Sequence, residues 1–207
     1  MDDLPKPVVT LVDDDAALRD SLQWLLESAG HVVRGYACSE DFLAAYDPEQ
    51  PGCLVLDIRM PGMSGLELQD ELLRLGHWIP IIFITGHGDV PTAVSAVKKG
   101  AIEFLEKPFN DQKLLALVDS ALAFDGRARA QAVGQRSFEA RLASLTQRER
   151  EVMDLFVAGR RNREIAELLQ VSIKTVEAHR AKVMQKTGAA TLAELLQLIH
   201  TTAARGK

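Results

Sequence analysis

Five side chains in the first half of the chain could together hold and transfer a phosphoryl group. Three are carboxylates, one is a hydroxyl and one is an ammonium: Asp13, Asp14, Asp57, Thr85 and Lys107. Clustered carboxylates repel one another unless a cation compensates for them, and Mg²⁺ is the hard divalent ion that prefers oxygen ligands. The metal and the ammonium would neutralise phosphoryl oxygens, and the hydroxyl would hydrogen-bond one of them. Because Asp57 is central and precedes a loop rich in proline and glycine, we predict that it is the nucleophile.

These side chains follow predicted strands, which alternate along the chain with predicted helices. Short apolar runs predict strands at 8–12, 31–36, 53–57, 79–85 and 102–105. Helical spacing and capping residues, Ser39 among them, predict helices at 16–28, at 39–46, after the loop at 60–65 to about 75, at 91–99 and from about 111. This alternation predicts a doubly wound, flavodoxin-like α/β fold with five parallel strands in the order 2-1-3-4-5. Since ligands bind at the carboxyl ends of such strands, the five side chains should converge there.

The second half of the chain has an all-helical pattern. Helices are predicted at 147–158, 162–169, 173–187 and 191–202. Thr146 and Glu149 have capping-box spacing, and Ser172 is placed to cap the third of these helices. The short turn before that helix predicts an all-α, four-helix domain of the helix-turn-helix type. We therefore expect an α/β domain at 1–123, a helical extension and linker at 124–141, and a helix-turn-helix domain at 142–207.

The distribution of charge separates the two halves. Residues 1–125 carry 9 basic and 21 acidic side chains, whereas residues 142–207 carry 11 basic and 7 acidic ones. The second half should therefore attract a polyanion, and a helix-turn-helix with a basic outer face suits the DNA major groove. Candidate DNA-contacting residues are Arg161, Asn162, Arg163, Lys174, Thr175, Glu177, Ala178, His179, Arg180 and Lys182. We expect the basic residues to meet phosphates, whereas Glu177 either accepts from cytosine N4 or repels wrong sites.

Composition excludes several other classes of protein. No apolar run reaches the roughly 18–20 residues of a membrane span, and the N-terminus lacks the apolar core of a signal peptide. Cys38 and Cys53 have no metal-type spacing and form no disulfide framework. A cytoplasmic protein is the simplest expectation, and His179 is expected to pack or contact backbone instead of binding a metal.

Four motifs of the first half resemble the receiver domain of two-component response regulators. They are residues 12–15, 56–65, 84–88 and 106–109, and the resemblance covers residues 7 to about 123. The resemblance implies a phospho-aspartate at Asp57 and Mg²⁺, or Mn²⁺, held by Asp14, Asp57 and the carbonyl of Arg59, with Asp13 acting through water. It also implies phosphoryl contacts from Lys107 and Thr85, a switch formed by Thr85 and Phe104, and a cis bond before Pro108.

Residues 142–203 resemble the LuxR/FixJ-type output domain, through the motifs at 145–152, 162–166 and 175–186. The whole chain is thus similar to the FixJ/NarL family of response regulators, in its FixJ/TodT/StyR-like branch. The resemblance implies a sensor histidine kinase and double-stranded DNA as partners, with RNA polymerase a further candidate, and regulation of transcription. Because a phosphoacceptor precedes a DNA-binding domain, we further hypothesise that phosphorylation causes dimerisation through the face of the helix at 91–99 and the fifth strand. The residues proposed for that face are Val90, Val94, Val97 and Lys98, although the valines could instead be core.

Two other functions compete with this interpretation. A phosphohydrolase with an aspartyl nucleophile usually has an acid–base Asp two residues further on, where this chain has Arg59. A constitutive DNA-binding protein would use its first domain only as a structural element, and the complete Asp/Thr/Lys set disfavours that. We therefore predict a phosphoacceptor and not an enzyme. Because Arg59 and His87 are bulky, autodephosphorylation is expected to be slow.

Overall fold

The computed structural model describes residues 5–86 and 96–203, with side chains described as far as residue 201. It divides into two compact units, Met1–Arg129 and Ala130–Lys207. The first unit contains a sheet whose described strands pair in parallel in the order β2-β1-β3-β4-β5, so the predicted topology is confirmed. Its elements are β1 (Val8–Val12), α1 (Ala16–Ser28), β2 (Val32–Tyr36), α2 (Ser39–Ala45), β3 (Gly52–Asp57), α3 (Gly65–Arg74), β4 (Ile81–Thr85), β5 (Glu103–Glu106) and the start of α4 (Asp111–Ala143).

The sheet has an apolar core on each face, and β3 supplies both. Leu54 and Leu56 pack into one core, whereas Cys53 and Val55 pack into the other. Successive side chains of a strand point to opposite faces, and all six residues of β3 are buried. A strand buried on both faces is what a parallel sheet between two helical layers requires. The sheet therefore fixes Asp57, the last residue of β3, at its carboxyl edge.

Local capping fixes where the helices of this unit begin. The carboxylate of Asp15 accepts from the amides of Ala17 and Leu18 at 2.9 and 3.2 Å, so it caps α1. The prediction that Ser39 caps α2 is wrong, because Ser39 is the first helical residue. Its buried hydroxyl instead donates to the carbonyl of Met63 at 2.9 Å, which ties α2 to the loop after β3.

The segment predicted as extension and linker is helical throughout, because α4 runs for 33 residues. Asp125, on this helix, is 1% exposed and accepts from the amide of Gly52 at 2.9 Å. Arg129 donates to Asp125 at 2.9 Å and to two carbonyls of the turn before β3 at 3.0 and 3.2 Å. Helix α4 as far as Arg129 is thus hydrogen-bonded to the start of β3.

The second unit is all helical in its described part and surrounds one apolar core. Besides the end of α4 it has α5 (Gln147–Val157), α6 (Asn162–Leu169), α7 (Ile173–Thr187) and α8 (Leu192–Ala203). Gln170 has a φ of 55°, in the left-handed region, and ends α6, while Ser172 caps α7 by accepting from Thr175 at 3.1 Å. The predicted helix-turn-helix is confirmed. None of the helices in the described residues is both long and apolar enough to cross a membrane.

Candidate functional site

Two buried carboxylates share one ammonium at the carboxyl edge of the sheet. Asp13 follows β1 and Asp57 ends the neighbouring β3, and they are 2% and 5% exposed. The Nζ of Lys107 lies 3.0 Å from Asp13 Oδ2 and 2.6 Å from Asp57 Oδ1. Lys107 follows β5, and its amide donates to the carbonyl of Thr85 at 2.7 Å, which fixes its backbone beside the end of β4. Three of the five residues predicted to converge are therefore in direct contact.

The charges of this cluster are only partly balanced. Burial raises the pKa of Asp57 above its ordinary value, although the hydrogen bonds from Lys107 and from the amide of Arg59 oppose the shift. Burial works against the ammonium of Lys107, but the hydrogen bonds to Asp57 and Asp13 outweigh it and raise its pKa. A single ammonium therefore lies within hydrogen-bond distance of two buried carboxylates. Additional positive charge at this edge would be stabilising.

The predicted metal ligands are brought together only in part. Asp14 is exposed beside the buried pair, and the amide of Arg59 donates to Asp57 Oδ2 at 2.7 Å. Within the described ranges, no group of three or more His, Cys, Asp or Glu side chains is arranged to hold a metal ion. The donor set nevertheless fits a hard cation in kind, since two buried carboxylates share a single ammonium and oxygen ligands suit Mg²⁺.

The proposed switch residues lie on the neighbouring strands β4 and β5. Thr85 ends β4 and is buried, whereas Phe104 in β5 is partly buried and packs against the core that contains Phe83. The bond between Lys107 and Pro108 is cis, as the resemblance implied.

The proposed dimerisation face can be described only in part. Val97 is 48% exposed, and Lys98 is exposed. Val90 and Val94 lie outside the described residues. So does His87, which was predicted to slow autodephosphorylation.

In the second unit, α7 presents a mixed surface. Lys174, Glu177, Ala178 and Lys182 are exposed. Thr175 is half-buried, and its hydroxyl lies 2.8 Å from that of Ser172, so it takes part in capping α7. The exposed side chains are therefore those most available to a nucleic acid.

Three further predicted contact residues, Arg180, Asn162 and Arg163, contact other side chains within the unit. The guanidinium of Arg180 lies 4.8 Å from the ring centroid of Phe156 and donates to the side-chain oxygen of Asn162. Arg163 pairs with Glu167 of its own helix at 3.3 Å. His179 is half-buried, and its buried Nδ1 has no hydrogen-bond partner among the residues that the structure describes.

The spacing of α7 carries a signal for Arg180 that was missed. Val176, Arg180 and Val183 follow the i, i+4, i+7 pattern of one helix face, and both valines are fully buried. Arg180 therefore belongs to the inner side of the helix, where it contacts α5 and α6.

Comparison with known proteins identifies both units. The model of the response regulator receiver domain matches residues 9–119, and that of the bacterial regulatory proteins of the luxR family matches residues 143–199. The chain belongs to the response regulators. It is 46% identical over 191 residues to the transcriptional regulatory protein FixJ of Bradyrhizobium diazoefficiens, which covers 92% of this chain and 93% of that protein.

Other relatives agree with this assignment. The regulator is 38% identical over 191 residues to the response regulator protein TodT of Pseudomonas putida F1, which covers 92% of this chain and 84% of TodT. The solved structure of the response regulator StyR superposes with a TM-score of 0.85 at 46% identity, over 94% of this chain and 98% of StyR. The regulator therefore combines a receiver domain with a LuxR-type DNA-binding domain and controls transcription.

Two contacts that matter to the regulator's sites were not predicted from the sequence: that of Gly65 with Asp57 and that of Glu149 with Lys186. A Cβ at Gly65 would overlap the carbonyl oxygen of Asp57, so only glycine lets α3 begin against the back of that residue. Glu149 is 3% exposed, and its Oε2 lies 2.6 Å from the Nζ of Lys186. That hydrogen bond, with those from Thr146, lowers the pKa of Glu149 to about 2. Capping-box spacing predicted the cap at Glu149, but nothing local predicted its partner on α7.

Proposed function

We propose that the regulator accepts a phosphoryl group on Asp57 from a sensor histidine kinase, in the cytoplasm and with Mg²⁺. Phosphorylation then controls dimerisation and sequence-specific DNA binding. The supporting observation is the contact of Lys107 Nζ with two buried carboxylates, at 2.6 Å to Asp57 and 3.0 Å to Asp13. A carboxylate beside a fixed ammonium at the open edge of a parallel sheet is placed to receive a phosphoryl group.

The residues of the pocket divide the work of transfer. A carboxylate oxygen of Asp57 forms the new bond to phosphorus, and the bond from phosphorus to the kinase imidazole breaks. The amide of Arg59, 2.7 Å from Asp57 Oδ2, and the ammonium of Lys107 fix the carboxylate before transfer. Lys107 then neutralises a phosphoryl oxygen, and the Thr85 hydroxyl hydrogen-bonds another.

Magnesium, or manganese, would be held by oxygens of the same pocket. The residues are the side chains of Asp13, Asp14 and Asp57 and the carbonyl of Arg59. When bound, the ion neutralises the carboxylates and the phosphoryl oxygens.

Phosphorylation replaces the carboxylate of Asp57 by an acyl phosphate whose phosphoryl group carries about 1.5–2 negative charges. Thr85 and Phe104 respond to that charge by changing the face that contains Val97 and Lys98, and this face dimerises. Paired output domains then read two DNA half-sites, with RNA polymerase as a further candidate partner.

The regulator is a phosphoacceptor that turns over only its own phosphate, and slowly. Arg59 is exposed two residues after Asp57, where its bulk limits the approach of water to the phosphoryl group. Timing the loss of phosphate from the purified protein tests this: a lifetime of seconds would refute slow decay.

The phosphorylation site is tested with Asp57→Asn and with Asp20→Asn, a matched change at an exposed position of α1. Incubation with acetyl phosphate and Mg²⁺ should modify the wild type and Asp20→Asn, giving an alkali-labile adduct, but not Asp57→Asn. Size exclusion with light scattering should show a doubled mass only in the modified proteins. An unmodified wild type, or equal modification of Asp57→Asn, contradicts the proposal.

DNA recognition is tested on duplexes that the phosphorylated wild type selects from a random-sequence pool. Lys182→Ala should weaken binding to all sequences and reduce the salt slope by about 1, as expected for one phosphate contact. Glu177→Ala should instead change which bases are preferred. If Asp57→Asn binds the same duplexes as tightly as the phosphorylated wild type, the regulator binds DNA constitutively and the switch proposal fails.

A further inference from the structure

The C-terminus of α7 is held by a side chain from another helix. Helix α7 ends at Thr187, and Gly188 follows with a φ of 74°. The carbonyl of Thr187 accepts a hydrogen bond from Nη1 of Arg141 at 2.7 Å. The last carbonyls of a helix have no partners within it, and a cation there complements the negative end of the helix dipole. Arg141 therefore caps α7 although it lies 46 residues earlier in the chain.

Arg141 is itself positioned by its neighbours. Its guanidinium lies 5.6 Å from the ring centroid of Phe138, which is 1% exposed in the core of this unit. Its Nε donates to the carbonyl of Ser137 at 3.4 Å. At Gly188 a Cβ would contact Nη1 of Arg141, so the glycine leaves the room that the guanidinium occupies. The contact is thus supported from both helices.

We propose that Phe138 and Arg141 form a packing site for the C-terminus of α7 and that Arg141 is a positioning residue for DNA binding. Arg141 orients the helix that reads DNA by holding its last turn, without touching DNA itself. The functional DNA-binding unit then begins near Phe138, ahead of the predicted boundary at 142. The inference rests on the proposed function only in taking α7 as the helix that reads DNA.

The test compares Arg141→Met with Arg136→Met in the full-length phosphorylated protein. Arg136 is exposed on the same helix, so its substitution removes the same charge without removing the contact. Affinity is measured against a duplex selected by the wild type and against a scrambled duplex, each across a salt series. We expect Arg141→Met to lower specific affinity about tenfold, the effect of one charge-assisted hydrogen bond. Its salt slope and non-specific affinity should stay unchanged, and Arg136→Met should bind like the wild type.

Hydrogen exchange provides a readout that needs no DNA. In Arg141→Met, amides at 184–188 should exchange faster while those of α5 stay protected, and Arg141→Lys should recover part of both protection and affinity. Faster exchange across the whole unit in both Arg141 variants would mean general unfolding and overturn the inference.

Three binding results would also overturn it: a salt slope reduced by about 1, an equal loss in Arg136→Met, or unchanged specific affinity in Arg141→Met. If the phosphorylated wild type selects no duplex, the proposed function fails. The hydrogen-exchange result then still tests whether Arg141 holds the C-terminus of α7.

Discussion

Replacing Lys107 by Met tests whether burial makes its contact with Asp57 energetically important. The chain offers a matched control in Lys99→Met, because Lys99 Nζ lies 2.6 Å from Asp70 Oδ1, the same separation as Lys107 Nζ from Asp57 Oδ1. The two pairs differ in burial: the carboxylate side chains of Asp70 and Asp57 are 53% and 8% exposed. Equal distances with unequal burial isolate the contribution of solvent.

The expected loss of stability arises because the substitution leaves buried carboxylates without their ammonium partner. Removing one partner of a buried ion pair costs about 3–5 kcal/mol, and we expect the lower value because the side chain of Lys107 is 26% exposed. With an unfolding entropy of about 2.1 cal/mol/K per residue over about 125 residues, 3 kcal/mol lowers Tm by about 10 °C. The exposed pair of Lys99 is worth about 0–1 kcal/mol, which corresponds to a few degrees at most.

The assay uses the two tryptophans, Trp24 and Trp78, which both lie in the receiver unit. Thermal unfolding followed by tryptophan fluorescence, in EDTA at pH 7, therefore reports on this unit alone. The loss of Tm caused by Lys107→Met, relative to the wild type, should become smaller as pH falls. Burial raises the folded pKa of Asp57, and the hydrogen bond and charge of Lys107 oppose that shift, so removing the lysine raises the pKa further and protonation stabilises the variant more than the wild type. That contribution is fully present below the unfolded pKa and is lost as pH rises through the folded one. Equal Tm losses in Lys107→Met and Lys99→Met, or a deficit independent of pH, would refute the reasoning.

Three further predictions concern residues away from the phosphoacceptor. Phe138→Ala should destabilise the output unit by about 3–5 kcal/mol, seen in the circular dichroism melt at 222 nm but not in tryptophan fluorescence, whereas Val133→Ala, at a position 64% exposed, should have little effect. Lys186→Met should lower the Tm of the output unit most above pH 4.5 and least near pH 2, because the lowered pKa of Glu149 gives stability that is lost as pH falls through about 2; a deficit that persists at pH 2 would contradict this. Asp125→Ala should destabilise the receiver by about 1–3 kcal/mol, because the Gly52 amide loses its acceptor, and unchanged urea unfolding of tryptophan fluorescence would disprove it.

The phosphoacceptor could be predicted because its signals are local. Each strand is a short apolar run, and the rule that parallel strands present their carboxyl ends at one edge converts sequence order into proximity. Asp57 and Lys107 meet as that rule requires. The distinction between Asp13 and Asp14 could not be made in the same way. They are adjacent beyond the end of β1, and only the fold shows that the first is buried and the second exposed.

The segment at 124–141 shows the opposite case. It has weak apolar periodicity because its buried residues are far apart and face different units. Asp125 contacts the receiver, whereas Phe138 enters the core of the output unit. Contacts of this kind join residues 46 or 73 positions apart, and no short-range pattern specifies them. A helix that serves two cores reads as a linker when only its own periodicity is considered.

Burial, and not distance, ranks the ion pairs of this regulator. Lys99, Lys107 and Lys186 each have an ammonium 2.6 Å from a carboxylate oxygen. The carboxylate that pairs with Lys99 is mostly exposed, and water screens that ion pair. The carboxylates that pair with Lys107 and Lys186 are nearly buried. If the lysine is removed, solvent cannot compensate for the charge of its carboxylate partner. The sequence alone does not distinguish the three lysines. The packing of β3 and α5 around two of the carboxylate partners is what makes those two ion pairs important for stability.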